Sequence, residues 1–422
     1  ESATVIFLGV LSFIIFVTCK DTYYVLPILL YTPFCFSRPF TATTIPNGLY
    51  IGGAIFVAGV IMHIILKKPR FKLGAFFYGL LALLIGMIMG GLLYKNDNYW
   101  LYLGLMTGIS IVILFIYTYL AGTARHHSFS QLAAMMVILT FLLLAEMYAH
   151  EKLLHPDAMF SVKDIVLGWG CTNNIAMILL LSFPFAVYFA IKSNYLVSAL
   201  GIIVLILGFI GIVLNYSRGG ILAGSIVLIA SLIYIFVKNK SKLLMLLYYT
   251  ILAGLLFYLI VYLQSNFPTL IPGIMHNISQ IHLDTFNGRF AIYEEMLNQS
   301  RSQIFFGYGV LHTTDPAITN YYLWGHNLYI QTLYTMGLFG IIGLSIHIVQ
   351  KYYLILTDFN SKKMVVLLSF IGAAIYGMLD ISYYYINFMI VLLVILVVME
   401  WEVRGNRKNG QSGFLEEQNN GK

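Results

Sequence analysis

The sequence predicts an all-α, polytopic membrane protein of about 12 or 13 transmembrane helices, with one long, partly helical external loop. Three observations carry this expectation. Of the 422 residues, 60% are hydrophobic and only 10% charged, with a mean hydropathy of +0.85, whereas soluble domains carry about 25% charged residues. The apolar residues gather in runs mostly 16–22 residues long, the length that crosses a bilayer core as a helix. Backbone groups in lipid need internal partners, and the short alternating segments of a membrane barrel are absent.

Taken in order, the runs lie near 3–19, 22–37, 48–66, 73–93, 99–121, 131–149, 174–191, 195–214, 220–237, 243–263, 327–350, 364–379 and 383–400. The cations orient them. Loops 67–72, 238–242 and 351–363 and the tail from Arg404 share one side if the runs alternate. With Lys20, Arg125 and Lys192, that side holds 17 of the 24 Lys and Arg residues and is read as cytoplasmic. The external side keeps Arg38, Lys95, Lys152, Lys163, Arg218, Arg289 and Arg301, which topology leaves unexplained. Thirteen spans put the N-terminus outside. Joining the two short runs around Lys20 gives twelve, and everything after residue 48 keeps its side. The chain is thus divided into a bundle at 1–263, an external loop at 264–326, C-terminal helices at 327–403 and a polar tail at 404–422.

Composition also excludes function classes. The net charge of +7 sits mainly in short loops, without the basic groove and interleaved aromatics of a nucleic-acid binder. Cys19, Cys35 and Cys171 form neither a CxxC pair nor a disulfide framework. No internal repeat is visible, which weakens an inverted-repeat transporter.

Two external loops stand out. Loop 150–173 is amphipathic and is expected to lie along the interface. Loop 264–326 opens with Pro268 and Pro272, then turns helical near Gly288 or Arg289, with Asn287 or Thr285 as cap. Phe290, Tyr293, Met296 and Leu297 recur at helical spacing and are expected to pack down as one face. The turn Gly307-Tyr308-Gly309 and the polar stretch 311–325 are the places where the loop is expected to move.

The polar residues that lipid makes costly are the candidates for chemistry. Arg218, in Asn-Tyr-Ser-Arg-Gly-Gly at a span end, is either an anion site with a planar guanidinium fork or an interfacial anchor. Arg289, at a helix start, is either a second anion site or a partner of Asp284. His326 accepts a proton near neutral pH, or is structural beside the aromatic residues Trp324 and Tyr329. Asn327 follows it at the mouth of a span and is grouped, with Arg218, Arg289, Asp380 and Arg38, among the diphosphate or substrate contacts. Asp380, between the last two runs, either orients His326, pairs with an arginine, or is a plain turn residue. Arg38 is an anchor or a third anion contact. No metal-ligand spacing surrounds His326, so no metal is expected.

Together these residues resemble the O-antigen ligase and O-antigen polymerase superfamily of bacterial membrane glycosyltransferases. The resemblance rests on the order Ser217-Arg218-Gly219, Gly288-Arg289 with Tyr293, Gly307-Tyr308-Gly309, His326-Asn327, then Gly337 and Gly340, across about residues 175–385. The family often carries Trp where Tyr293 stands and an acid just before the span glycines. Thr335-Met336 stand there, so no role is carried onto that place.

The resemblance implies a GT-C-like fold in the bacterial inner membrane, with the active site on its periplasmic side. It implies an undecaprenyl-diphosphate-linked glycan as donor and a glycan or lipid A core as acceptor, among membrane lipids, with a chain-length regulator or flippase as a further partner. It assigns Arg218 and Arg289 to the diphosphate and His326 to the acceptor hydroxyl, in an inverting transfer that needs no metal, nucleotide or other cofactor. A polymerase is the first reading, since nothing in the chain suggests a lipid A docking surface; a ligase shares the motif set. Outside this class stand a lipid-linked oligosaccharide flippase or transporter, a shape-type peptidoglycan glycosyltransferase and a purely structural membrane partner. The transporter would require charges buried in mid-span and repeat symmetry.

Overall fold

A computed structural model describes residues 2–20, 47–94, 99–123, 129–154, 160, 165–167, 170–191, 194–239, 241–266, 268, 270–279, 289–310, 325–385 and 387–403. The helices are α1 (Ser2–Thr18), α2 (Asn47–Lys67), α3 (Phe77–Met89), α4 (Tyr99–Thr123), α5 (Phe129–Leu154) and α6 (Thr172–Ser182), which runs through a 3-10 turn into α7 (Ala186–Ala190). There follow α8 (Tyr195–Leu214), α9 (Arg218–Lys238), α10 (Lys242–Asn266), α11 (Leu270–Ser279), α12 (Arg289–Ser300), α13 (Leu328–Leu356), α14 (Ser361–Gly377) and α15 (387–403). Between α5 and α6, a two-residue hairpin pairs Val166 with Cys171.

Among the described residues, seven helices are long and apolar enough to cross a membrane, and three shorter apolar helices accompany them. The protein is all-α and multi-pass. Twelve of the thirteen apolar runs coincide with helices. The run 22–37 lies outside the described residues, as does Arg38.

Polar side chains define the helix starts, because the first N–H groups of a helix lack internal partners. Asn194, Ser217, Asn327 and Asn360 accept from the first-turn amides of α8, α9, α13 and α14. α3 has no such local cap, since Phe76 precedes it. Its donors go to distant residues: Ala75 N–H to Glu400, Phe76 N–H to the Tyr117 hydroxyl at 3.2 Å, and Gly79 N–H to Gln350.

α3 runs antiparallel along α13. Gly79 lies against His347, Gly86 against Gly340 and Gly90 against Thr335 and Met336, small residues that let the backbones approach. α13 is broken at Gly337, whose φ of +62° only glycine adopts readily. A break leaves backbone groups without partners, which is tolerated in a bundle only where protein supplies them. Segment 304–309 supplies them here. Leu338 N–H donates to Ile304 O at 2.8 Å and Phe339 N–H to Phe305 O at 3.2 Å. Tyr308 N–H and Gly309 N–H donate to the carbonyls of Tyr334 and Thr335 at 2.9 and 2.7 Å, and Gly91 N–H of the α3 exit turn donates to Phe306 O at 2.7 Å.

The turn Gly307-Tyr308-Gly309, where movement is expected from the sequence, is hydrogen-bonded on both sides of this contact. The turn is wedged into the break of α13, and a Cβ on Gly307 would stand 2.5 Å from the Thr335 carbonyl carbon. The stretch 311–324 lies outside the described residues. A correction concerns Lys351, counted above as a loop cation. α13 continues to Leu356, and Lys351 is a buried residue of its interior.

Candidate active site

Arg218 is the first residue of α9, and its place follows from the turn before it. Tyr216 has a φ of +53°, a conformation that costs a non-glycine residue about 1–3 kcal/mol and persists where surroundings hold it. Its hydroxyl donates to Phe160 O, and Phe160 N–H donates to the buried Glu151 carboxylate at 2.7 Å. Burial, with the Glu151 charge adding to it, pushes the Tyr216 phenol up to about 12, so it remains a donor. Loop 150–173 is therefore tied onto this turn at Phe160. Ser217 caps α9 and meets the Tyr376 hydroxyl at 3.0 Å, and that hydroxyl also donates to Asn173 O at 3.1 Å. One hydroxyl thus joins α6, α9 and the end of α14.

Beyond Tyr376 the chain leaves α14 through Met378, Leu379 and Asp380, and the other candidate residues gather on this exit. A Cβ on Gly219, next to Arg218, would stand 3.1 Å from that of Leu379. The Arg289 guanidinium donates through Nη1 to Leu379 O at 2.7 Å. The Asn327 amide donates through Nδ2 to Met378 O at 3.1 Å, while its Oδ1 accepts from Tyr329 N–H and Ile330 N–H at 2.9 and 3.1 Å. Asn327 was expected as a substrate contact. Both ends of its amide meet protein here, and these hydrogen bonds tie α13 to the α14 exit.

His326 stands at the centre. Its φ is +43°, and both flanks are held. Its carbonyl accepts from the Tyr293 hydroxyl at 3.2 Å, and the preceding Gly325 N–H donates to the buried Gln331 Oε1 at 2.7 Å. Its Nδ1 lies 3.6 Å from Asp380 Oδ1, within ion-pair reach and longer than a hydrogen bond. The imidazole side chain is 36% exposed and the Asp380 carboxyl 2%. Asp380 Oδ1 is held by Ile381 N–H at 2.8 Å. Asp380, first grouped with the diphosphate contacts, therefore faces the histidine, which is the orienting alternative. A carboxylate there also suits an imidazolium better than a phosphate.

Arg289 begins α12, as anticipated, though Asn287, Thr285, Gly288 and Asp284 lie outside the described residues. The face that packs down is shifted from the expected one. Phe290 and Leu297 are exposed, at 52% and 42%. The inward face is Arg289, Tyr293, Met296 and Ser300, with Met296 against Tyr334. Arg289 therefore shares a face with Tyr293. Burial raises the Tyr293 phenol, and Arg289 beside it pulls it partly back. Tyr376 and Gln331 were not singled out from the sequence, because a Tyr and a Gln inside apolar runs carry no spacing signal.

Chemically, the corner offers a partly exposed imidazole beside a buried carboxylate, with Arg289 bonded to the same helix exit and Arg218 beginning the helix whose Gly219 packs against it. An imidazole so placed can take a proton, and guanidiniums bind phosphate oxygens in a fork. Among the described residues, no group of three His, Cys, Asp or Glu side chains is arranged to hold a metal ion.

The family model described as O-antigen ligase matches residues 203–345. The match spans Arg218, Arg289, His326 and Asn327 and supports the O-antigen ligase and polymerase superfamily that the ordered motifs resemble. Asp380 lies beyond the matched segment. No curated protein and no solved structure matches the chain.

Proposed function

We propose that the chain, an O-antigen ligase/polymerase-type membrane glycosyltransferase, moves a glycan from a polyprenyl diphosphate, of the undecaprenyl kind, to an acceptor sugar hydroxyl. His326 takes the acceptor proton as the acceptor oxygen bonds to the anomeric carbon. The bond from that carbon to the phosphate oxygen breaks, and its electron pair leaves with the lipid diphosphate. A single displacement of this kind inverts the anomeric centre.

The observation that carries the reading is the convergence on the α14 exit. Arg289 is bound to the Leu379 carbonyl, Asn327 to the Met378 carbonyl, and His326 lies against Asp380. Three consecutive residues thus hold one arginine, Asn327 and the base in one frame. Charge develops on the diphosphate as the sugar–phosphate bond breaks, and pre-positioned guanidiniums of Arg218 and Arg289 stabilise it without reorganisation. Asp380 does the same for the imidazolium that forms at His326. The leaving diphosphate supplies the driving force, so the chemistry asks for no nucleotide.

The test is reconstitution of the purified protein in a bilayer with a lipid-linked repeat unit. Transfer with inversion, read by the anomeric coupling of the product, is the expected result; the absence of any glycan product overturns the reading. A ladder of lengths identifies a polymerase. One product that appears only with a separate acceptor, such as a lipid A core, identifies a ligase.

A further inference from the structure

Lys351 lies in the interior of α13, 5% exposed. Charged side chains inside a helical membrane bundle are costly and commonly mark function. Its Nζ donates to the Tyr383 hydroxyl at 2.8 Å. It also lies 4.5 Å from the centre of the Phe370 ring and 5.4 Å from that of Tyr352, within the reach at which aromatic faces attract a cation. The buried His347 ring packs edge-on against Tyr383 from the preceding turn of α13. The amine thus meets one phenol oxygen and two ring faces, with no acid among the contacts described for it.

What it holds is informative. Tyr383 belongs to the 3-10 turn Ser382–Tyr384, which follows Asp380 after one residue. The next residue, Tyr384, meets Thr335 Oγ1 through its hydroxyl at 2.6 Å. The turn is therefore pinned to α13 on both sides of the break at Gly337, by Thr335 before it and Lys351 after it. The break is filled by segment 304–309, which continues from the helix bearing Arg289. One broken helix thus sets the positions of both the acid behind His326 and the arginine facing the leaving group.

We propose that Lys351 is a positioning residue for the transfer: through Tyr383 it fixes the turn that directly follows Asp380, and so the distance between that carboxylate and His326. The proposal rests on the glycosyltransferase reading of the site. Lys351 touches no substrate, and its effect passes through Asp380.

The experiment is a double-mutant cycle in the reconstituted transfer assay. Lys351→Met keeps the length of the stem and removes the amine. Tyr383→Phe keeps the ring faces and removes the acceptor. Each is expected to lower kcat by about 10- to 100-fold, the scale of a small misplacement remote from the reacting atoms, with KM for the lipid-linked donor unchanged. In an Asp380→Asn background neither is expected to cause a further loss. Losses that multiply in that background, or wild-type kcat in both variants, overturn the proposal. If Lys351→Met fails to fold, Tyr383→Phe decides by the same criteria. Failure of the underlying reading looks different: the wild-type protein makes no product, or Asp380→Asn itself transfers normally, and the proposal then falls with it.

Discussion

The Nδ1 atom of His326 lies 3.6 Å from the Oδ1 atom of Asp380, and the carboxyl is almost wholly buried while the imidazole remains open. The two residues begin and end different helical segments, and neither neighbours the other in sequence. A carboxylate in that place is close enough to offset the charge of an imidazolium, and under the proposed mechanism the other ring nitrogen of His326 is the one that meets the acceptor.

His326→Ala is therefore expected to lower the transfer rate by about 100- to 10,000-fold, the usual range for a lost general base. Asp380→Asn should cost less than His326→Ala, because the base survives without its orienting charge. Single-turnover transfer from the lipid-linked donor measures both. Equal, near-normal rates would remove the pair from the mechanism.

Arg218→Lys and Arg289→Lys separate charge from geometry. Lysine keeps the positive charge and loses the planar fork that grips two phosphate oxygens. Each is expected to reduce kcat by about 100-fold. Arg289 also donates to the Leu379 carbonyl, and a lysine spent on that carbonyl has no second arm for phosphate, so the loss for Arg289→Lys should be the larger. Rates measured at saturating donor check this.

Asn327 offers a test within one side chain. Asn327→Asp keeps the oxygen that caps α13 and removes the Nδ2 donor to the Met378 carbonyl. It is expected to leave the thermal unfolding midpoint near wild type while lowering kcat. Asn327→Ala removes the cap as well, at about 1 kcal/mol of stability. A thermal-shift measurement in detergent, run beside the transfer assay, resolves the two.

Gly337→Ala probes the break in α13. A Cβ there would stand 2.3 Å from the Phe305 carbonyl, and the φ of +62° is strained for any other residue. The variant is expected to lose about 2 kcal/mol or more of stability, and to lose transfer activity because segment 304–309 connects to the helix of Arg289. An unfolding midpoint at the wild-type value would show that the break does not need glycine.

The positions of the helices were legible because their signals are local. An apolar run of bilayer length is visible in any window, and twelve of the thirteen runs lie on helices. Arg218, Arg289 and His326 stood out because charge and imidazole are rare in such a chain. The inward face of α12 was less legible. Its first polar residue, Arg289, belongs to the packed side, and a pattern drawn only from apolar positions slid onto Phe290 and Leu297. Lys351 was misassigned for a related reason: a cation near the end of an apolar run reads as a loop until the rings that cover it are known.

By itself the sequence determined an all-helical membrane protein, the approximate course of its helices and the residue types available for chemistry. Composition, run length and capping residues act over a few neighbours. Only the tertiary structure decided that Asp380 lies beside His326, that Asn327 bonds the α14 exit, that Gly307-Tyr308-Gly309 packs into the break of α13, and that Lys351 is interior. Each of these depends on a backbone group or a side chain finding its partner far along the chain. Inside a membrane bundle polar groups are paired by packing, with partners that sequence spacing does not reveal.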